Sequence, residues 1–322
     1  MTTQDDYLQP TPTPTPPRRA GSVRRTTTHD CTWRDGLTGP VTIAASGRDL
    51  LTSRGGSEPT AAAWFECDAE LGGTIRNIVG SAGGLDALIG GSAHRGFRRS
   101  LRDIAEDAAG VLVQLLDDLP VALMLSGRVP RAAGIALGEP GRQLPIDVCA
   151  GWTDGGTLVR GLTAQGPPLV IGPPAGPVAP IGDPEAWHPC AGPTPRSTRR
   201  HRRIDAWVEH DRLQLDSWFR DSHVGDDGVE RVVHEYGVRA AADLPSFALV
   251  ACDAVAGHLP YPECPNAATS SGRLVGSPLD ALRKTVPSAL TGSSTCTHLN
   301  DALRALSGVR ALVAPLPGIA WR

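Results

Sequence analysis

Aromatic residues are scarce in this chain of 322 residues, at 4% of the composition, whereas glycine and proline number 37 and 29. This composition predicts that part of the length is not packed structure. Neither sign of charge dominates, because the formal net charge is only −3. That balance excludes a generally basic nucleic-acid binder and a strongly acidic solvating chain, so we do not expect a nucleic-acid partner.

Long apolar runs are also missing. A membrane span needs about 20 predominantly apolar residues. The best candidate, residues 111–125, is interrupted by Gln114, Asp117, Asp118 and Pro120. The N-terminus is rich in threonine and proline and has no apolar targeting core. These features predict a cytoplasmic protein without a membrane partner.

Cysteine is sparse and odd in number, with seven residues and no C-x-x-C pair. Such a set in a long chain is not a disulfide framework, and we expect free thiols. The G-x-S-x-G elbow, the H-E-x-x-H zinc motif and the dinucleotide fingerprint are absent from the sequence as well.

The length is typical of two folded units, at about 100–200 residues per domain. Alternating threonine and proline predict a disordered tail over residues 1–20, because proline fits neither a ladder nor a helix interior. Residues 163–200 are rich in proline and glycine and predict a semi-stiff linker, with Trp187 and His188 as its docking anchor. The remaining boundaries are 21–162 for the first unit, 201–310 for the second and 311–322 for a C-terminal tail.

Each unit begins at a basic pair and continues with short strands separated by Asp, Gly and Pro turns, which is typical of an antiparallel meander. Helical spacing of apolar residues then follows in each unit. Two of these helices align without gaps, residues 115–118 with residues 298–301. We therefore predict an α+β fold of two degenerate repeats, each an antiparallel β-meander followed by helices. Chance similarity within one α+β protein is the alternative.

Three side chains of the second unit form a candidate site: Cys264, Cys296 and His298. Cys264 lies in a proline-flanked loop, and Cys296 begins the last helix, where the helix dipole favours thiolate. Helical residues two apart point about 200° away from each other, so Cys296 and His298 can share a site only if Cys296 lies in the non-helical cap. Two sulfurs and one nitrogen suit zinc or iron. The fourth position is open to Glu263, His258, a water or a substrate.

A purely structural interpretation of these three residues stays open, with Cys264 buried, Cys296 capping its helix and His298 satisfied in the core. The first repeat carries Val113 and Leu115 at the positions of Cys296 and His298. We therefore expect no equivalent site in the first repeat.

Two other sequence features, a basic run and a His-Glu-Tyr triplet, are not assigned to a functional site. The basic residues between 196 and 203 could grip a phosphate or nucleic acid, but they lack interleaved aromatics, and we interpret them as a solvated face. The triplet His234-Glu235-Tyr236 falls in a predicted strand, so His234 and Tyr236 share one face. One face of this strand could line a pocket, but ordinary sheet packing is the preferred interpretation.

Several separated motifs together resemble one bacterial family. They are residues 24–28 with Trp33, residues 187–188, 202–205 and 234–236, the Cys264-Pro265 pair and residues 296–299. The family is domain of unknown function 2889, and the resemblance extends from about residue 20 to 310. It implies no activity, but it implies that Cys-Pro and Cys-Thr-His-Leu are hallmark positions.

The second unit is more distantly similar to the iron–sulfur scaffold fold. That resemblance would place Cys264 at the loop ligand and Cys296 with His298 at a late Cys/His pair. This chain has one loop cysteine fewer than a full scaffold set, and its Cys-x-His order differs from an adjacent His-Cys pair. A single bound metal is therefore a better expectation than assembly of a transferable cluster.

These observations predict a cytoplasmic protein whose Cys264, Cys296 and His298 bind zinc or iron, and iron–sulfur handling is one form that this function could take. The alternative is a thiol-dependent enzyme acting on a small organic substrate. There Cys296 would be the nucleophile or Cys264 the acid/base, with His298 as proton carrier. A second alternative is a non-catalytic binding protein whose cysteines only pack. The expected partner is thus a small molecule or a metal.

Overall fold

The computed structural model describes residues 11–94, 96–101, 104, 110–137, 144–163 and 166–316. Its β-strands form one sheet in which every neighbouring pair is antiparallel. The strands are β1 (Ser22–Trp33), β2 (Val41–Ser53), β3 (Gly56–Ala69), β4 (Ile75–Gly80), β5 (Ser197–Glu209), β6 (Arg212–Val224), β7 (Glu230–Asp243) and β8 (Leu249–Ala256).

The α-helices of the described residues are α1 (Phe97–Ser100), α2 (Gly110–Ser126), α3 (Arg128–Ala132), α4 (Thr157–Arg160), α5 (Leu282–Ala289), α6 (Thr297–Ala305) and α7 (Val309–Val313). A long 3₁₀ segment, Cys264–Leu274, connects β8 to the last helices. The stretch Gly110–Ala132 is long and apolar enough to cross a membrane by length and composition alone. Within its most apolar 18-residue window, 67% is buried inside the protein, as in a core helix.

The strand order β4-β3-β2-β1-β5-β6-β7-β8 places the two predicted meanders side by side in one continuous sheet. Strands β1 and β5, the first of each half, pair antiparallel, with Thr26 opposite Arg203. The α+β fold with antiparallel strands is therefore confirmed, and the halves share one sheet. Their origin as repeats stays a prediction.

Helices cover one face of the sheet, which we call the helical face, over two apolar cores. The first-half core joins α2 to the strands of its own half and contains Phe65 and Leu115. The second-half core joins β5–β8 to α5, α6 and α7 and contains Phe219 and Leu299. Burial of these apolar side chains is the main favourable contribution to the fold.

Extended chain covers the opposite face. Trp187 is 3% exposed; its indole donates to Thr28 Oγ1 at 3.1 Å and contacts the ring of Trp218 edge-on. His188 lies 2.8 Å from Thr26 Oγ1 through its Nδ1 atom. The predicted anchor therefore docks on the sheet, which confirms that expectation. The structure begins β5 at Ser197, within the predicted linker 163–200.

The described part of the predicted N-terminal tail lies on the same face. Thr11 donates its backbone N–H to Pro174 O at 2.9 Å and accepts a hydrogen bond from Arg220 at its Oγ1. Thr15 is 3% exposed. A Thr/Pro segment cannot form a ladder, but its carbonyl and hydroxyl oxygens are free to accept from arginines on the sheet. Residues 1–10 and 317–322 lie outside the described residues.

The interpretation of residues 196–203 as a solvated face is wrong for most of the run. Residues 199–203 are all at most 4% exposed, because β5 is a central strand covered on both faces. Arg199 pairs with Asp30 at 2.5 Å, and Arg203 pairs with Asp205 and Asp216. The run is a buried, ion-paired strand.

Candidate metal centre

A buried charge network connects the sheet to two helices. Arg200 and Arg202 of β5 both donate to Asp301 of α6, at 2.6 and 3.0 Å. Arg202 also holds Asp118 of α2 with two hydrogen bonds, of 2.7 and 2.9 Å. Burial raises the pKa of Asp118, but these arginines lower it well below its usual range. The network thus fixes α2 and α6 over the centre of the sheet.

Asp221 of β6 is the third carboxylate of this network and is fully buried. Its Oδ1 accepts a hydrogen bond from Arg200 at 2.7 Å. Among the described residues, its buried Oδ2 has no hydrogen-bond partner, and neither has the buried Nδ1 of His234, 3.5 Å away. That separation is too long for an ordinary N–H···O bond. Two buried polar atoms therefore face each other with their bonding capacity unused.

His298 completes this arrangement. Its ring stacks on that of His234, with centroids 3.8 Å apart and planes 22° apart. The ligand atoms of Asp221, His234 and His298 all lie within 4.8 Å of one another. These distances bring the three groups within reach of a common ion, whose bonds to N and O measure about 2.0–2.2 Å, after small rotations of the rings.

Local structure explains why these side chains meet. Asp221 and His234 are opposite each other in the β6–β7 ladder, next to a register shift that pairs Ser222 with Val232. A β-bulge of this kind re-aims side chains and occurs often beside functional sites. His298 lies in the first turn of α6, which packs on β6 and β7.

The electrostatic surroundings suit metal binding. Burial raises the pKa of Asp221, but the charge of Arg200 and the neighbouring imidazoles lower it to about 2. Burial, together with His234, lowers the pKa of His298 to about 3. A carboxylate that is ionised and an imidazole that is neutral are the forms that coordinate a metal ion.

The predicted thiols lie in a neighbouring cluster with Tyr236, whose hydroxyl donates to Cys264 O at 3.0 Å. Cys296 is the N-cap residue of α6 and has an extended backbone conformation. This is the position that it would need in order to share a site with His298. Burial raises the pKa of Cys264 to about 12. Burial also raises the pKa of Cys296, although the backbone N–H groups of Leu299 and His298 oppose it. The helix dipole expected to favour thiolate is outweighed by burial.

All seven cysteines are free thiols, as expected. Of the three predicted ligands, His298 belongs to the Asp221–His234–His298 group. Among the described residues, Cys264 and Cys296 do not join it in a set of such close ligand atoms.

Sequence reasoning did not identify Asp221, and it interpreted His234 as sheet packing. His234 and Tyr236 do share the helical face, where His234 meets His298. Glu235 points the other way and pairs with Arg220 at 2.7 Å. A charged or titratable residue on each of two mostly apolar strand faces was the available signal, but only the register places Asp221 opposite His234.

No curated protein and no solved structure matches this chain, and the resemblance to the iron–sulfur scaffold fold has no support from these comparisons. One family model matches part of the chain. The matched segment starts at the second residue of β5 and contains Asp221, His234, Cys264, Cys296 and His298. Over residues 198–311 the chain therefore matches the family described as protein of unknown function (DUF2889), and this match supports the family resemblance based on its Cys-Pro and Cys-Thr-His-Leu motifs.

Proposed function

We propose that this protein binds one transition-metal ion, zinc or iron, through Asp221, His234 and His298. Two imidazoles and one carboxylate are a ligand set that both metals accept in proteins, with further positions left for water or a substrate. The site is enclosed between β6, β7 and α6, so metal binding would also tie α6 to the sheet.

One observation carries the proposal. Asp221 Oδ2 and His234 Nδ1 are both buried and lie 3.5 Å apart, and neither has a hydrogen-bond partner in the part of the chain that the structure describes. Leaving a buried polar group unsatisfied costs about 1–3 kcal/mol, and more for a charged group. A cation between these two atoms and His298 would remove that cost.

Arg200 would act as a positioning residue for this centre. It donates to Asp221 Oδ1 and thereby leaves Oδ2 directed at the imidazoles. Partners behind the ligands commonly orient metal-binding side chains in this way. Asp301 holds the other side of Arg200 at 2.6 Å.

The test is the metal and acid-labile sulfide content of protein purified without oxygen, for wild type and seven variants. We expect near-stoichiometric metal in the wild type and its loss in Asp221→Asn, His234→Gln and His298→Ala. Cys264→Ser and Cys296→Ser are matched controls from the neighbouring thiol cluster, and they should retain the metal. His223→Gln and His258→Asn test other imidazoles of the same half and should retain it too.

The opposite pattern would assign the site differently. Retention of metal in Asp221→Asn and His234→Gln, with loss in both cysteine variants, would establish the Cys264, Cys296 and His298 set expected from the sequence. Sulfide present together with iron would favour iron–sulfur handling. Metal-free wild type that also fails to take up added zinc or iron would overturn the proposal.

The thiol-enzyme alternative makes a separate prediction. It requires a thiolate near neutral pH, whereas burial raises the pKa of both Cys264 and Cys296. We therefore expect no hyper-reactive thiol toward iodoacetamide in the folded protein at pH 7. Rapid labelling at Cys296 or Cys264 would favour the enzyme instead.

We also infer that the two halves arose from one duplicated unit and that only the second has the site. The strand order runs outward in both directions from the β1–β5 pair. The aligned helices α2 and α6 contribute Asp118 and Asp301, and both carboxylates bind Arg202. At the position of His298 the first half has Leu115, which is buried in the apolar core.

A further inference from the structure

A cavity of about 460 Å³ lies between α3, the segment after α4 and strands β6 and β7. Apolar and cationic side chains both line it. The residues that matter here are Arg128, Leu169, Ile171, Arg231 and Val232. Volumes of about 300–1,000 Å³ are typical of small-molecule sites.

The cavity has a rigid wall. Val232 donates its backbone N–H to Pro173 O at 2.9 Å, and Ala175 donates to Glu230 O at 2.8 Å. A side chain on Gly172 would overlap the carbonyl oxygen of Val232, so glycine is needed for this close approach. The covering segment, residues 169–175, is thus held against β7. A preformed wall reduces the conformational entropy that is lost when a ligand binds.

Charge at the cavity is not balanced. Arg231 is paired with Asp227 at 2.7 Å, and the lining residue Asp226 is paired with Arg196 at 2.5 Å. Within the described part of the chain, Arg128 has no carboxylate at ion-pairing distance; its guanidinium donates to Val170 O, and its Nε is buried without a partner. Burial lowers the pKa of Arg128 to about 10, which leaves it charged at neutral pH.

The apolar walls indicate the rest of the ligand. Ile171 is 71% exposed and Leu169 is 36% exposed, and both line the cavity. Apolar side chains exposed around a concave site are typical of ligand-binding surfaces. An unpaired guanidinium beside such walls suits a molecule with one anionic group and an apolar body.

We propose that this cavity binds a small organic monocarboxylate whose carboxylate pairs with Arg128 and whose apolar body packs on Leu169, Ile171 and Val232. The site stands independently of the metal centre. A neutral amide of the same shape would lose the ion pair and bind more weakly.

The test is isothermal calorimetry of the full chain with benzoate, phenylacetate and hexanoate, and with benzamide as the neutral counterpart of benzoate. We expect saturable binding of at least one carboxylate, and benzoate to bind more tightly than benzamide. Arg128→Met should weaken the carboxylate affinity at least about tenfold, as expected for loss of a charged hydrogen bond.

Arg131→Met is the matched control. Arg131 lies one turn further along α3 and donates to Pro167 O, just before the covering segment, but it does not line this cavity. Its affinity should stay within about twofold of wild type. Ile171→Asp, at an exposed wall position, places a negative charge in the cavity without disturbing the core and should abolish binding. His298→Ala should leave binding intact, which separates this site from carboxylate coordination to a metal.

Three results would overturn the proposal. They are absence of binding for all three carboxylates, equal affinity for benzoate and benzamide, and equal losses in Arg128→Met and Arg131→Met. Loss of binding in His298→Ala with full binding in Arg128→Met would instead move the ligand to the metal centre.

Discussion

At the scale of single residues, the site depends on the different surroundings of the two carboxylate oxygens of Asp221. One of its oxygens is held by Arg200 and the other faces His234 without a hydrogen bond. Arg200 itself is fully buried, contacts Asp118, Asp221 and Asp301, and lies 4.9 Å from the ring centroid of Phe219. Removing this one cation would leave buried carboxylates without sufficient compensation.

Arg200→Met should therefore lower the free energy of unfolding by about 3–5 kcal/mol, as expected when one partner of a buried ion pair is removed. Arg196→Met is the control, because Arg196 is 62% exposed and its pair with Asp226 should be worth less than about 1 kcal/mol. Urea unfolding of both variants measures the difference. Equal losses would show that the network does not hold the fold.

A second residue-scale effect concerns His188, which docks on the sheet. Burial lowers the pKa of His188 to about 3, whereas an unfolded histidine titrates near pH 6.5. Between these two values the unfolded chain binds a proton that the folded chain does not. This proton uptake destabilises the folded state: His188 has no such effect above about pH 6.5, and below it the free energy of unfolding decreases by about 1.4 kcal/mol per pH unit as the pH falls toward 3.

Unfolding of wild type and His188→Gln at pH 5 and pH 7 checks the effect. Between pH 7 and pH 5 the free energy of unfolding should fall less in the variant than in wild type, because unfolding of the variant takes up about one proton fewer. His210→Asn is the control, and it should keep the pH slope of the wild type. His210 is an exposed turn residue with φ 51°, a conformation that Asn tolerates. An unchanged pH slope in His188→Gln would contradict the assignment.

At the scale of elements, the extended segment that contains Trp187 covers the face of the sheet opposite the helical face. Its anchor, Trp187, contacts His201 and Trp218, and Arg48 of β2 donates to Trp187 O at 3.2 Å. Each contact joins the segment to a different strand, so the anchor ties the two halves of the sheet together.

Trp187→Ala should destabilise the protein by about 3–5 kcal/mol, because it leaves a large cavity under this extended segment. Trp64→Ala, at a position 50% exposed on β3, should cost less than about 1 kcal/mol. Denaturant unfolding followed by circular dichroism compares the two. A similar loss in both variants would mean that the segment does not depend on its anchor.

At the scale of the whole molecule, period-2 strands and Asp/Gly/Pro turns were enough to predict an antiparallel α+β fold. They could not show that β1 and β5 pair, since that contact joins residues far apart in the sequence. The charges of residues 199–203 misled the interpretation for the same reason. Most of their carboxylate partners lie on other elements, β1, β6, α2 and α6, and only the tertiary structure supplies the ion pairs that make burial of five polar residues in one strand possible.

The site was predictable in part. His298 and the cap position of Cys296 follow from the helix start, which local sequence marks well. Asp221 and His234 come together through strand register and a bulge, and neither is encoded by residue spacing. The sequence therefore indicated the region of the proposed centre through His298, and our proposal places Asp221 and His234 beside it instead of the two cysteines.

X-ray absorption spectroscopy at the edge of the bound metal tests the central claim most directly. Coordination by Asp221, His234 and His298 predicts a shell of nitrogen and oxygen at about 2.0–2.2 Å with imidazole scattering and without sulfur. A sulfur shell near about 2.3 Å would contradict this account and would assign the metal to Cys264 and Cys296.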